Sequence, residues 1–96
     1  MSPAPSKMHY VYLLKSNKSK WLYIGMTKNL KKRMAEHCAG TSYTTRKYLP
    51  VELVYYEAYK SETDAKSREK RLKQYGNVIG LLKKRIVNSL LEEGAG

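Results

Sequence analysis

Alternating apolar and polar positions predict three β-strands. The segment HYVYLL, residues 9–14, has apolar or aromatic side chains on both faces, which is typical of a strand buried on both sides. Turn-forming residues follow in KSNKSK, and WLYIGM, residues 21–26, resumes the strand pattern, so a hairpin is predicted. A third strand is predicted in VELVYYEAY, residues 51–59, where strict alternation puts Leu53 and Tyr55 on one face.

The turn of the hairpin decides which residues of its two strands face each other. If the turn centres on Asn17 and Lys18, Tyr12 lies directly opposite Tyr23, and a loop of two or four residues gives this same register. Directly opposed residues project from the same face of a sheet. The two phenol rings are therefore predicted to stand side by side.

A first helix is predicted from apolar residues at helical spacing in KNLKKRMAEHCAG. Thr27 is its expected N-cap and Gly40 its expected end. Its apolar stripe consists of Leu30, Met34 and Cys38. Arg33 and His37 each lie three residues beyond a stripe position, so they are predicted at the margin of the buried face.

Two further helices are predicted after the third strand. One begins at Ser61, which forms a variant capping box with Asp64, and ends at Gly76, while the last spans NVIGLLKKRIVNSLLEE. Glu69 interrupts the apolar stripe of the first of these helices. Because an unpaired buried carboxylate is costly, Glu69 either pairs with a cation, binds a metal, or is solvated on a rotated helix.

The length of the chain indicates one small domain, and its charge indicates a polyanionic partner. The chain has 96 residues, enough for a single core, which we assign to residues 8–91. Residues 1–7 are expected to be a flexible tail and residues 92–96 a frayed end. Nineteen Lys and Arg against eight Asp and Glu leave a net charge of +11, which favours nucleic acid as the partner.

The single cysteine and the hydropathy pattern bear on the compartment. Cys38 alone excludes an internal disulfide and a Cys-rich zinc site, and we expect it to be a buried thiol without catalytic function. No apolar run approaches the ~18 residues of a membrane span. We therefore expect a soluble, cytoplasmic protein with no membrane partner.

The unusual residues together suit the cleavage of a phosphodiester bond, and their spacing resembles a known family. Hydrolysis of this bond needs a base, a cation for the developing charge and usually a divalent metal. The segments YVY and YIG, then T.NL..R...H and REKRLK, stand in an order and at a spacing that resemble the GIY-YIG nuclease superfamily. The likeness is greatest to its small stand-alone bacterial-type members and spans about residues 8 to 90.

The resemblance implies an α/β (α+β) fold in which helices flank a central three-stranded antiparallel sheet, and metal-dependent nicking of nucleic acid. Tyr12 and Tyr23 would be the motif tyrosines, with one of them the base or the group that positions water. Arg33 would stabilise the phosphate, and His37 would assist proton transfer or orient a tyrosine. Glu69 would bind Mg²⁺ or Mn²⁺, and Gly25 and Thr27 would be structural positions of the motif.

A tyrosine acts as a base only if its environment favours the phenolate. The unperturbed pKa of tyrosine is near 10, so a base role requires a nearby cation, and Arg33 and the metal are the candidates.

The sequence departs from the family pattern at three positions. The first motif begins with Tyr10 where the family has glycine, and Met26 stands where repair-type relatives carry lysine. Leu81 stands where they carry a downstream asparagine, for which Asn77 is the only substitute we suggest.

Contacts to the nucleic acid are assigned to basic, hydroxyl and aromatic residues around the site, which supply affinity without reading sequence. These residues are Lys28, Lys31, Lys32, Tyr43, Thr44, Arg46, Lys47 and Lys70, and Arg68 is counted in the same basic rim. Tyr43, Tyr48 and Trp21 either stack on unpaired bases or, for the last two, cap the edge of the core. We expect a preference for single-stranded or branched DNA, as in DNA repair or recombination.

Two other functions stay open from the sequence alone. A non-catalytic nucleic-acid-binding module would keep the fold and charge without the chemistry. A small basic protein that binds RNA is permitted by charge, although it would not need the two motif tyrosines. Loss of Mg²⁺-dependent cleavage in Glu69→Ala would distinguish an endonuclease from both.

Overall fold

The computed structural model describes residues 7–92 and contains three strands and their flanking helices. In chain order the elements are β1 (His9–Ser16), β2 (Leu22–Thr27), α1 (Leu30–Ala39), a 3-10 turn (Arg46–Tyr48), β3 (Val51–Tyr59), α2 (Glu62–Gln74), α3 (Gly76–Arg85) and α4 (Val87–Leu91). The strands form one antiparallel sheet in the order β2-β1-β3, which confirms the predicted fold class. The proposed tail and frayed end lie outside the described residues except for Lys7 and Glu92, so both stay predictions.

β1 is the central strand because it is apolar on both faces, as predicted. On one face, here called the α2 face, Val11 and Leu13 pack against Ala65 and Leu72 of α2 and against the last two helices. The opposite face, here called the α1 face, buries Tyr12, Leu14 and Val51 beneath α1 and the loop that follows it. Each fully buried Leu or Val contributes about 1.5–3 kcal/mol, so the central strand anchors two cores at once.

The register of the hairpin differs from the prediction by two residues. Tyr12 pairs with Gly25, and Tyr23 pairs with Leu14. The cause is a longer loop, in which the Ser16 hydroxyl accepts hydrogen bonds from the amides of Lys18 (3.1 Å) and Ser19 (3.3 Å). A shift of two residues preserves the face of every side chain, so Tyr12 and Tyr23 still share the α1 face.

β3 contains a bulge that breaks the predicted alternation. Leu14 pairs with Leu53, whereas the preceding Leu13 pairs with Tyr55, so Val54 is an extra residue on β3. Leu53 therefore packs on the α1 face and Tyr55 on the α2 face. The prediction that both lie on one face is wrong.

The bounds and the buried side of α1 also differ from the prediction. Thr27 ends β2 and is not the N-cap; Asn29 takes that place, and its side-chain oxygen accepts from the Lys32 amide at 3.1 Å. Gly40 is the expected C-cap, in the left-handed conformation with φ 78°. The fully buried residue of the helix is His37, whereas Cys38, expected to be a buried thiol, is exposed. Burial of the imidazole is tolerated because it has hydrogen-bond partners.

The C-terminal helices begin as predicted and end differently. The Ser61 hydroxyl accepts from the Asp64 amide at 3.3 Å and caps α2. Gly76, the predicted end of α2, is the first residue of α3, and the single predicted last helix is interrupted at Ile86, where ψ is 28°. The longest helix has 13 residues, and none in residues 7–92 is long and apolar enough to cross a membrane.

Candidate active site

A chain of buried hydrogen bonds joins β1, α1 and the loop after α1. The Tyr12 hydroxyl lies 2.8 Å from His37 Nε2, and His37 Nδ1 lies 2.8 Å from the Thr45 hydroxyl. His37 and Thr45 are fully buried and Tyr12 is 2% exposed. His37 was predicted at the margin of the buried face, and the structure puts it at the centre.

Gly25 makes room for the Tyr12 ring. The residues pair across the hairpin, and a Cβ atom added to Gly25 would lie 2.3 Å from the Tyr12 hydroxyl oxygen. Real Cβ atoms do not approach so closely, so any side chain here would displace the phenol from His37. The glycine of the YIG segment is therefore required by a close approach.

The protonation of the chain follows from its burial. Burial lowers the pKa of His37 below its ordinary 6.5, and the charge of Arg33 lowers it further, so the imidazole is neutral at pH 7. Burial also raises the pKa of Tyr12 above 10.0, against the opposing effect of Arg33. Tyr12 is thus a protonated phenol, and in the tautomer in which it donates to Nε2, Nδ1–H donates to the Thr45 hydroxyl.

Tyr23 and Arg33 surround this chain. The Tyr23 ring centroid lies 6.2 Å from that of Tyr12 and 5.6 Å from that of His37, so the three rings form one cluster. The pKa of Arg33 is raised, first by the Tyr12 hydroxyl beside it and then by Glu36, whose carboxylate accepts from Nη1 at 3.1 Å. The site therefore holds a permanent cation beside the Tyr12 phenol.

Glu69 fits a metal site of low protein ligand count. Its charge is close enough to Tyr12 to help raise the pKa of that phenol, and its carboxylate is half-buried with Lys73 at 3.3 Å. Residues 7–92 contain no cluster of three potential ligands from His, Cys, Asp and Glu. Mg²⁺ commonly keeps several waters and takes one or two carboxylates plus substrate phosphate, so this single carboxylate fits such an ion.

The predicted nucleic-acid contacts fall into separate groups. Lys28 and Lys31 border a surface cavity at the start of α1, and Lys28 also lies 3.9 Å from Glu62. Tyr43, Thr44 and Lys47 border a second cavity in the loop after α1. The other predicted contacts are exposed. They are Lys32, Arg46 and Lys70. The structure does not gather the eight residues into one cavity.

Two residues of the site were missed by sequence reasoning. Thr45 holds His37 from a loop interpreted only as polar, and a pattern of hydroxyl residues does not reveal which one is buried. Glu36 holds Arg33, and its position three residues along the same helix was an available signal.

A second polar cluster lies on the α2 face. Glu57 accepts hydrogen bonds from the hydroxyls of Tyr55 and Tyr59, and Arg68 donates to it from Nε at 2.9 Å and Nη2 at 2.9 Å. Burial would raise the pKa of Glu57, but Arg68 and the two hydroxyls outweigh burial and lower it. Arg68, predicted in the basic rim, is thus committed to an internal ion pair.

The chain is similar to known proteins over most of its described length. The family model described as the GIY-YIG catalytic domain matches residues 8–78. A UPF0213 protein of Clostridium perfringens is 45% identical over 69 residues, which cover 70% of this chain and 72% of that protein. A UPF0213 protein of Natronomonas pharaonis is 46% identical over 66 residues, 68% of this chain and 76% of that protein.

A solved structure is similar to this chain over most of its length. The solution NMR structure of a UPF0213 protein from Bacillus halodurans matches with a TM-score of 0.50 and 28% identity, covering 92% of this chain and 88% of that chain. The family match runs from β1 into α3. It therefore includes every residue of the candidate site.

Proposed function

The chain belongs to the GIY-YIG family, and from this premise we propose that it is a metal-dependent endonuclease that hydrolyses phosphodiester bonds in DNA. The observation that supports the proposal most directly is the buried contact between the Tyr12 hydroxyl and a neutral His37. A phenol bonded to a neutral imidazole can receive a proton and pass one on.

The proposed base is the pair of Tyr12 and His37 acting together. As water attacks the phosphorus, the Tyr12 oxygen takes the proton of the water while the phenol proton moves to His37 Nε2. No free phenolate is then required, which removes the difficulty posed by the raised pKa of Tyr12. In this mechanism the Thr45 hydroxyl accepts from Nδ1–H, which corresponds to the tautomer whose Nε2 can accept.

Arg33, Tyr23 and Glu69 complete the proposed mechanism. Arg33 is charged throughout and stabilises the negative charge that develops on the phosphate. Tyr23, less buried than Tyr12, positions the attacking water. Glu69 would hold Mg²⁺ or Mn²⁺, which when bound supplies Lewis-acid stabilisation of the phosphate and the leaving oxygen.

Single-stranded or branched DNA is the proposed substrate, as expected for a role in repair or recombination. The support is a set of exposed cations and aromatic residues in the loop after α1, which includes Tyr43, Arg46 and Lys47. As part of the same proposal the protein acts in the cytoplasm, in keeping with a chain that has one cysteine and needs no disulfide.

A cleavage assay tests the proposal. Labelled single-stranded, duplex and branched DNA and RNA are incubated with the protein in Mg²⁺, Mn²⁺ or EDTA. We expect metal-dependent products from DNA, most from the single-stranded or branched forms, and none from Glu69→Ala.

Glu62→Ala is the matched control. Glu62 lies on the same helix as Glu69 and makes the same kind of pair, with Lys66 at 3.1 Å four residues along, but it lies near Lys28 rather than Tyr12. We expect this variant to cleave like the wild type. Tight binding without products in any metal would contradict the proposal and favour a non-catalytic binding module, and products from RNA alone would contradict the choice of DNA.

A further inference from the structure

A surface cavity lies beside the ring cluster of Tyr12, Tyr23 and His37, here called the catalytic cluster, and its lining suits a nucleobase. Its volume is about 260 Å³, and it is lined by Trp21, Tyr43, Thr44, Lys47 and Tyr48. This volume is below the range of about 300–1,000 Å³ for sites that take drug-sized ligands, so a single small ring system is the suitable occupant. The lining residues supply aromatic surface, the hydroxyl groups of Tyr43, Thr44 and Tyr48, and one cation.

The aromatic residues of the cavity differ in how much ring they offer. Trp21 and Tyr48 stack on each other with centroids 4.0 Å apart and planes 7° apart, so no base can enter between them. Both also pack against the core of the α1 face, so they form a fixed wall. Tyr43 is 71% exposed, and the Arg46 guanidinium lies over its ring at 4.8 Å.

The wall of the cavity is continuous with the catalytic cluster. Trp21 stacks on Tyr23 with centroids 5.6 Å apart and planes 23° apart, and Tyr23 is next to Tyr12 and His37. Contacting aromatic rings therefore extend without a break from Tyr12 through Tyr23 to Trp21 at the edge of the cavity. A strand whose phosphate lies at the phenols would bring a neighbouring base to the cavity.

We propose that this cavity binds one unpaired nucleobase of the nucleotide flanking the scissile phosphate. The inference rests on the proposed function and gives it a physical basis for substrate choice. Tyr43 and the wall of Trp21 and Tyr48 contact the base, the Thr44 hydroxyl bonds its edge, and Lys47 meets the adjoining phosphate. A paired base cannot enter without leaving its stack, which costs a few kcal/mol, so an unpaired base is preferred.

The first test measures binding, and it does not depend on cleavage. Glu69→Ala protein is titrated with a duplex that carries one bulged base and with the same duplex in which the bulged nucleotide is abasic. We expect the abasic form to bind roughly tenfold more weakly, since stacking of one base is worth this much. Equal affinity for the two forms would overturn the proposal.

The second test asks whether Tyr43 is the residue that senses the base. Tyr43→Ala should weaken binding of the bulged base roughly tenfold and leave the abasic form unchanged. Tyr75→Ala is the matched control, because Tyr75 is 53% exposed and lies at the junction of α2 and α3. An equal loss on both DNA forms would mean that Tyr43 contacts only the backbone, which contradicts the proposal.

A cleavage readout separates this inference from the function on which it rests. With wild-type protein, the cut should keep a fixed offset from the bulged base when the bulge is moved along the duplex. Cleavage at positions unrelated to the bulge would overturn the base site while leaving the nuclease intact. Absence of all cleavage, with the binding difference preserved, would support the base site and contradict the nuclease.

Discussion

The sheet carries a polar cluster on each face, and the two differ in how their carboxylates are satisfied. On the α2 face, Glu57 receives bonds from two tyrosine hydroxyls and two nitrogens of Arg68, which occupies the roughly four acceptor positions of a carboxylate. Glu69, the carboxylate near the α1-face cluster, meets one cation, Lys73, within residues 7–92. A saturated carboxylate is a structural element, whereas one with unused acceptor positions can accept a ligand.

The tyrosines of the two clusters differ in the same way. Tyr59 has its pKa raised to about 12, by burial and then by its bond to the Glu57 carboxylate, so its proton is held in place. Tyr12 is hydrogen-bonded instead to a neutral imidazole, whose Nε2 accepts that proton in the proposed relay. The partner of each phenol, and not the phenol itself, decides whether its proton can move.

The largest expected effect is the loss of cleavage when the hydroxyl of Tyr12 is removed. Tyr12→Phe removes the proposed proton acceptor and should lower the single-turnover cleavage rate by about 10²–10⁴-fold, the usual contribution of general acid-base groups. Tyr59→Phe is the matched variant on the other face and should leave the rate of the folded protein unchanged. Equal rates for wild type and Tyr12→Phe would refute the relay.

The second expected effect is on stability, and here the α2-face cluster should matter more than the α1-face cluster. Glu57→Gln removes the charge that Arg68 and two hydroxyls share, and should lower the free energy of unfolding by about 2–3 kcal/mol. Glu69→Gln should change it by less than about 0.5 kcal/mol, because it loses one partly exposed pair. Urea unfolding measures both. A larger loss in Glu69→Gln than in Glu57→Gln would reverse the comparison.

A smaller effect is expected from Thr45, which acts on the site through His37. Thr45→Val deletes the acceptor for Nδ1–H and should lower the cleavage rate about tenfold, the equivalent of a hydrogen bond of roughly 1–1.5 kcal/mol. Thr45→Ser should restore the rate because it returns the hydroxyl. Thr63→Val, at an exposed threonine of α2 outside the candidate site, is the control for the loss of a threonine hydroxyl. A Thr45→Ser variant as slow as Thr45→Val would show that the methyl group matters and not the bond.

The elements of the fold could be predicted because they depend on local periodicity, and the errors occur where distant contacts decide. The register of the hairpin depends on the bonds of Ser16 in the loop, and the α2-face cluster depends on a bulge in β3. Neither the loop bonds nor the bulge can be detected from the alternation of apolar residues. The strands and the presence of the first two helices needed no such information.

The candidate site shows the same limit. Tyr12, Tyr23, Arg33, His37 and Glu69 could be proposed from the spacing of a motif. The motif does not reveal that His37 is fully buried, nor that Thr45 completes its hydrogen bonds, since burial of a loop residue depends on the packing of the whole face. In the proposed mechanism the burial of Tyr12 and His37 favours a relay over a free phenolate, and the motif does not reveal this burial.

The smallest expected effect is a pH dependence of stability in which each cluster has its own window. The pKa of His37 is lowered in the folded state. Below about pH 6.5 the imidazole of the unfolded chain therefore binds a proton, whereas that of the folded chain stays neutral. The free energy of unfolding should therefore fall with decreasing pH, by at most about 1.4 kcal/mol per pH unit, until His37 itself titrates.

Glu57 also has a lowered pKa, so its contribution is present above its unfolded value near 4.3 and is lost as pH falls from there through the folded pKa. Urea unfolding of His37→Gln should be flatter only in the upper window, and that of Glu57→Gln only in the lower. If His37→Gln kept the full slope between pH 6.5 and 5, the imidazole would be free to protonate in the folded state. His37 would then be charged in the folded protein at acidic pH, and the neutral imidazole that accepts the proton in the relay would be absent there.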